Sequence, residues 1–177
     1  MNRIDIFIQN YLVSSRTPEL NNFFYFVSSF FDVSLLFFLL TMLVIYFVYK
    51  TRGYNYSIFF LSNIFVTMGL VYLLKVVFNT PRPVDAVTYA FGASFPSYHA
   101  TMSAVFFISL YFSFKDKIGV FYKKSLYIFS IVAVFLVAFS RIYLGVHWFT
   151  DVVSGLVLGA TISYISMRLF KKYRYIL

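Results

Sequence analysis

Both histidines of this 177-residue chain stand in segments suited to handling an anion. Residues 140–151 read Ser-Arg-Ile-Tyr-Leu-Gly-Val-His-Trp-Phe-Thr-Asp, which sets His147 four positions before Asp151. On a helix that spacing puts both on one face, where the carboxylate can accept the imidazole N–H. Such a bond fixes the tautomer, frees the lone pair of the other nitrogen and stabilises positive charge on the ring. This is the logic of a Ser-His-Asp triad with the histidine itself as nucleophile. Upstream, Lys75 precedes Arg82, and Pro81 and Pro83 fix the backbone on both sides of that arginine, so its guanidinium is presented from a stiff turn. The run Phe95-Pro96-Ser97-Tyr98-His99 reads as a helix start with Ser97 as N-cap. The unpaired N–H groups of a helix N-terminus bind phosphate. Arg141 supplies a third cation. Two histidines and an aspartate can in principle hold zinc, but three nearby cations oppose a dication. The chain has no cysteine, which removes disulfides and thiolate metal sites. Walker, GxGxxG and GxSxG patterns are absent.

The elements that must carry these groups are apolar. Hydrophobic residues make up 61% of the chain, aromatic residues 24% and charged residues 12%, against about 25% charged in a soluble domain. That balance excludes disorder, collagen, a coiled coil and an ordinary soluble globule, and makes lipid the main solvent. An all-α polytopic transmembrane bundle is expected, with about five spans at 33–49, 54–78, 97–114, 125–140 and 151–170. Residues 79–96 form a loop holding all but one of the prolines. Asp5 sits where the apolar core of a signal peptide would begin, so none is expected. Residues 1–10 pattern as a short amphipathic helix, and Thr17-Pro18 is a helix start. Residues 1–31 are then interfacial helices or a re-entrant hairpin on the outer face, and residues 32–177 the transmembrane core of a single membrane domain.

A net charge of +9 on a soluble protein would suggest nucleic acid. Here the placement of charge argues otherwise, and no nucleic-acid partner is expected. Lys50 and Arg52 follow the first span; Lys115, Lys117, Lys123 and Lys124 follow the third; Arg168, Lys171, Lys172 and Arg174 end the fifth. With five spans these groups share one side, the cytoplasmic side by the positive-inside rule. Beyond the N-terminal segment only Lys75, Arg82 and Arg141 remain, all at the opposite face with His99, His147 and Asp151. One cation at a span end snorkels to headgroups. Three on the face that should be poor in them are retained for an anionic ligand.

In this order the three segments resemble the type 2 phosphatidic acid phosphatase family, whose pattern is KxxxxxxRP, then PSGH, then SRxxxxxHxxxD. Lys75, Arg82 and Pro83 meet the first part, Pro96, Ser97 and His99 the second, and Ser140, Arg141, His147 and Asp151 the third. The resemblance covers roughly residues 54–170. There are two departures: Tyr98 replaces the usual glycine, and five spans stand against the family's typical six. The Tyr98 ring either turns into lipid or packs on a neighbouring span, or it lines the entrance and narrows it. The resemblance implies a lipid phosphate phosphatase needing neither metal nor organic cofactor. His147 would attack phosphorus to give a phosphohistidine, Asp151 would orient it, and His99 would protonate the leaving oxygen and then help activate water. Lys75, Arg82 and Arg141, with Ser97 and the backbone near Tyr98, would bind the phosphoryl oxygens. The implied substrates are undecaprenyl pyrophosphate, phosphatidylglycerol phosphate, phosphatidic acid or lipid A 1-phosphate, entering sideways from the bilayer. A phosphotransferase with the same intermediate and a non-enzymatic lipid-binding protein on this frame are the alternatives. Related vanadate haloperoxidases share the motifs but are soluble. The small chain suggests a bacterial inner-membrane enzyme with its site on the periplasmic face.

Overall fold

A computed structural model of the chain describes residues 2–32 and 34–173. These form seven helices: α1 (Arg3–Ser14), α2 (Pro18–Ser29), α3 (Leu35–Arg52), α4 (Tyr54–Phe78), α5 (Tyr98–Phe114), α6 (Val120–Tyr143) and α7 (Phe149–Tyr173). Arg174 and Val33, which the sequence placed at span ends, lie outside the described residues.

Local chemistry sets the boundaries. Thr17 caps α2 by accepting from the Leu20 N–H, and Pro18 occupies the first turn, where its missing N–H costs nothing. Ser34 caps α3 through the Phe37 N–H at 3.3 Å. Gly53 alone joins α3 to α4, at a φ of 85° that a side chain would resist. The fourth span begins earlier than its apolar run suggests. α6 takes in Val120 to Lys124, so of the four lysines after the third span only Lys115 and Lys117 stay in the connection. Lysine is a good helix former and its stem lies along apolar surface, so Lys123 and Lys124 do not end a helix.

α3, α4, α6 and α7 are each long and apolar enough to cross a membrane. α5 has 17 residues, a length of about 25 Å, and runs through the middle of the bundle. Ala100, Met102 and Val105 on it are wholly buried. Its closest neighbour is α7, where Gly155 and Gly159 meet it. A Cβ at Gly159 would fall 2.6 Å from the Thr101 carbonyl oxygen, and one at Gly155 would fall 2.8 Å from that of Ser97. Small residues at this spacing let two helix backbones approach in a membrane, where packing rather than water exclusion drives association. Asn63 of α4 donates to Ser109 of α5 at 3.0 Å, a second tie buried in the bundle. Outward faces are apolar: Phe38, Phe65, Phe135 and Ile165 are all more than half exposed, as expected of lipid-facing surface.

Phe59, Phe112 and Phe170 pack together and bring the start of α4 and the ends of α5 and α7 to one end of the bundle. Lys50, Arg52, Lys115, Lys171 and Lys172 belong to that end. At the other end the N-terminal helices are tied to the bundle. Asp5 of α1 accepts from the N–H and hydroxyl of Thr150 at 2.9 and 2.8 Å. Arg16 donates to the Tyr143 carbonyl at the end of α6 and to the Asp85 carbonyl in the proline-rich loop. α1 and α2 therefore clamp the ends of α6 and α7 to the loop above them.

Candidate active site

α6 stops where the sequence carries Leu144-Gly145. Gly145 takes a φ of 72°, its N–H returns to the Ile142 carbonyl, and the Val146 N–H returns to that of Arg141. These paired bonds around a left-handed glycine are a Schellman ending. A side chain at 145 would also strike Arg16, Gln9 and the Asp85 carbonyl. The His147 N–H bonds the Arg141 carbonyl at 3.3 Å, so this turn holds the histidine against the end of α6. His147 thus lies in a turn and does not share a helix face with Asp151, because Gly145 ends one helix and Phe149 begins the next.

The two side chains still approach each other, but Nδ1 of His147 is 3.6 Å from Asp151 Oδ2, too far for a hydrogen bond. Ser94 stands between them. Its hydroxyl is 2.5 Å from Asp151 Oδ2 and 3.3 Å from His147 Nδ1. Asp151 also accepts the Trp148 N–H at 2.9 Å, so its carboxylate is fixed in the first turn of α7. On the other side of the ring, Arg82 Nη1 lies 3.3 Å from His147 Nε2. An arginine can only donate, so Nε2 carries the lone pair and Nδ1 the proton. Burial, with Arg141, Arg82, Lys75 and His99 nearby, holds the imidazole well below the ordinary histidine range and keeps it neutral.

Lys75 and Arg82 are held by backbone carbonyls rather than by carboxylates. Arg82 donates to the carbonyls of Phe91, Gly92, Ala93 and Val146, and Lys75 Nζ to those of Ala93 and Ser94 at 2.6 and 3.1 Å. Together they fold residues 91–94 over the site and set the Ser94 hydroxyl in place. Arg141 is 5% exposed; it donates to the Ser28 hydroxyl of α2, and its Nε is enclosed without a partner.

Ser97 is the N-cap residue of α5, yet its side chain makes no capping bond. Its N–H is drawn to the Asp151 carbonyl at 3.1 Å, tying the starts of α5 and α7 together, and its hydroxyl is buried unpaired. Tyr98 has ordinary helical backbone, so no glycine is needed there. Its ring is partly buried against the cluster containing Phe31, Phe37 and Phe60, edge-on to His99 at 5.6 Å, with its hydroxyl enclosed and unpaired. His99 Nε2 lies 2.8 Å from Asp32 Oδ1, a partner from the α2–α3 connection. Sequence reasoning missed both Ser94 and Asp32. Asp32 carried one signal, an acid after two phenylalanines in a chain with six acids; Ser94 carried none. The arrangement offers a neutral, backed imidazole facing cations, three enclosed unpaired polar atoms and a second histidine, which suits a tetrahedral oxyanion.

The chain belongs to the PAP2 superfamily, whose family model matches residues 56–175. Among its relatives, an undecaprenyl-diphosphatase of Sulfolobus acidocaldarius is 33% identical over 50% of this chain and 36% of its own. Undecaprenyl-diphosphatase BcrC of Bacillus subtilis is 37% identical over 56% of this chain and 51% of its own. The chain thus spans about half or less of the length of these curated relatives. The crystal structure of a transmembrane PAP2-type phosphatidylglycerolphosphate phosphatase from Bacillus subtilis matches with a TM-score of 0.87 and 26% identity, over 95% of this chain and 85% of that one.

Proposed function

We propose that this protein hydrolyses a phosphomonoester or pyrophosphate on a membrane lipid through a phosphohistidine on His147. The observation that carries the reading is the setting of that ring: Nε2 faces Arg82, and Nδ1 is backed by Ser94 and Asp151. In the first step the Nε2 lone pair attacks phosphorus while Lys75, Arg82, Arg141, the Ser97 hydroxyl and the N–H groups at the start of α5 take the phosphoryl oxygens. The positive charge forming on the ring is stabilised by the Asp151 carboxylate, linked to Nδ1–H by the Ser94 hydroxyl. The lipid oxygen leaves with a proton from His99. Water then attacks the phosphohistidine with His99 as base, releasing phosphate and restoring His147. Phosphoryl transfer asks mainly for positioning and charge stabilisation, which this clamp supplies without a metal.

A lipid substrate is supported by an apolar cavity of about 440 Å³ between α2, α3, α5 and α6, lined by Phe31, Phe37, Phe106 and Ala133 among others. Phe31 on its wall immediately precedes Asp32, the partner of His99. Filling the cavity with Ala133→Trp should raise KM for a lipid phosphate about tenfold or more while leaving p-nitrophenyl phosphate unaffected. An equal effect on both substrates would remove the cavity from the account.

Lys and Arg concentrated at the far end support a cytoplasmic location for that end and a site on the outer, periplasmic face of a bacterial inner membrane. The test of the function is phosphate release by purified protein from a panel of lipid monophosphates and diphosphates, with and without chelator. Release that persists in chelator is expected; activity appearing only with an added divalent metal would contradict the reading.

A further inference from the structure

The geometry points to Asp32 as the positioning residue that makes His99 a proton donor for poor leaving groups, an inference that rests on the reaction proposed above. Asp32 follows Phe31, which is 6% exposed and locked against Phe37 and Phe106 at ring distances of 5.7 Å. That anchor brings the carboxylate, partly exposed, to 2.8 Å from His99 Nε2 across 67 positions of sequence. The hydrogen bond to His99, opposed by partial burial, holds the Asp32 carboxyl below the usual carboxylate range, so it is ionised at neutral pH. The charged groups facing His99 are Asp32, Arg141 of α6 and Arg82 of the loop, with the neutral His147 beyond them. Asp32 is the one carboxylate among them, and it opposes burial and two cations, all of which drive the proton off the ring.

The chemistry follows from this pairing. With Nε2–H held by Asp32, the Nδ1 proton is the one to transfer. As the His147 Nε2–phosphorus bond forms, the phosphorus–oxygen bond to the lipid breaks and its electron pair stays on oxygen, which takes the Nδ1 proton. His99 is left neutral and able to accept a proton from the attacking water. An alkoxide needs that proton; a phenolate or a lipid phosphate needs it far less. Asp32 therefore favours phosphomonoesters of lipid alcohols, the harder leaving groups in the substrate class.

The test compares Asp32→Asn with the unmodified protein on p-nitrophenyl phosphate and on dodecyl phosphate. The expected loss in kcat is less than about threefold on the aryl ester and at least about thirtyfold on the alkyl ester. In a His99→Ala background Asp32→Asn should cost nothing further, since its effect passes through that ring. The limb on which alkyl-ester turnover falls with rising pH should move to lower pH. Equal losses on both esters, or additivity with His99→Ala, would overturn the assignment. A second readout needs no turnover. In His147→Ala protein His99 is the sole histidine, and its NMR titration should move down by about one pH unit or more when Asp32 becomes Asn. An unmoved titration overturns the pairing, whereas unmodified protein inert toward every ester counts against the phosphatase reading instead.

Discussion

Replacing His147 by alanine is expected to lower kcat on a lipid phosphate by at least about 10⁴-fold with little change in KM. In the proposed reaction the ring supplies the electron pair that forms the new bond to phosphorus, so its loss would be felt at the transition state. In the same proposal Lys75, Arg82 and Arg141 hold the phosphoryl oxygens in the ground state as well and would still bind substrate. Because burial and the surrounding cations keep His147 neutral well below the ordinary histidine range, falling pH should not protonate it near pH 6.5. Activity should persist on the acid side until the depressed value is reached. Rising pH should remove activity by another group, His99 losing its proton. A variant with near-normal turnover, or an acid limb at the value of a free imidazole, would refute the nucleophile assignment. A steady-state profile of kcat and KM for both proteins, on one lipid substrate from pH 4 to pH 9, measures all of this.

Gly159→Val should be among the most damaging changes away from the chemistry. Its Cβ would sit 2.6 Å from the Thr101 carbonyl oxygen and 2.8 Å from the Ala104 Cβ, both on the central helix. Neither is the end of a flexible side chain, so α5 and α7 must separate. Overpacking of this kind costs about 3 kcal/mol, which should lower Tm in detergent by about 10 °C. The separation also reaches the site, because α5 begins with Ser97 and His99 and α7 carries Asp151. The Ser97 N–H to Asp151 carbonyl bond joins the two starts. Turnover should therefore fall even below the unfolding temperature. Gly69, with open space around it in the interior of α4, is the control: Gly69→Ala should lower neither property. A Gly159→Val protein melting with the parent would show that the α5–α7 contact is looser than described.

Much of this architecture is legible in one sequence because lipid imposes length and apolarity on every span. The charges then report which ends lie together, since a cation is costly anywhere else. Ends of helices were less legible. α6 begins at Val120 because Phe121, Tyr122 and two lysines all tolerate a helix, and nothing in that run says stop. At its other end Gly145 was a stop signal in plain sight, and it moves His147 from a helix face into a turn. The site's own side chains were readable by type and spacing, but their partners were not. Ser94 reaches His147 and Asp151 only because Lys75 and Arg82 gather the loop carbonyls beneath it. Asp32 reaches His99 only because Phe31 is seated between α3 and α5. Contacts of that range have no periodicity to betray them. The same holds for Asp5 and Arg16, which turn an apparently separate N-terminal segment into a clamp on the site end of the bundle.

The central claim is the covalent intermediate. Purified protein mixed with a lipid phosphate labelled in the phosphoryl group, stopped in alkali within one turnover, should carry label on the peptide containing His147. That label should survive alkali and be lost in acid, as a phosphorus–nitrogen bond requires. Label absent from the protein while phosphate is released, or label that resists acid or maps to another residue, would contradict the account.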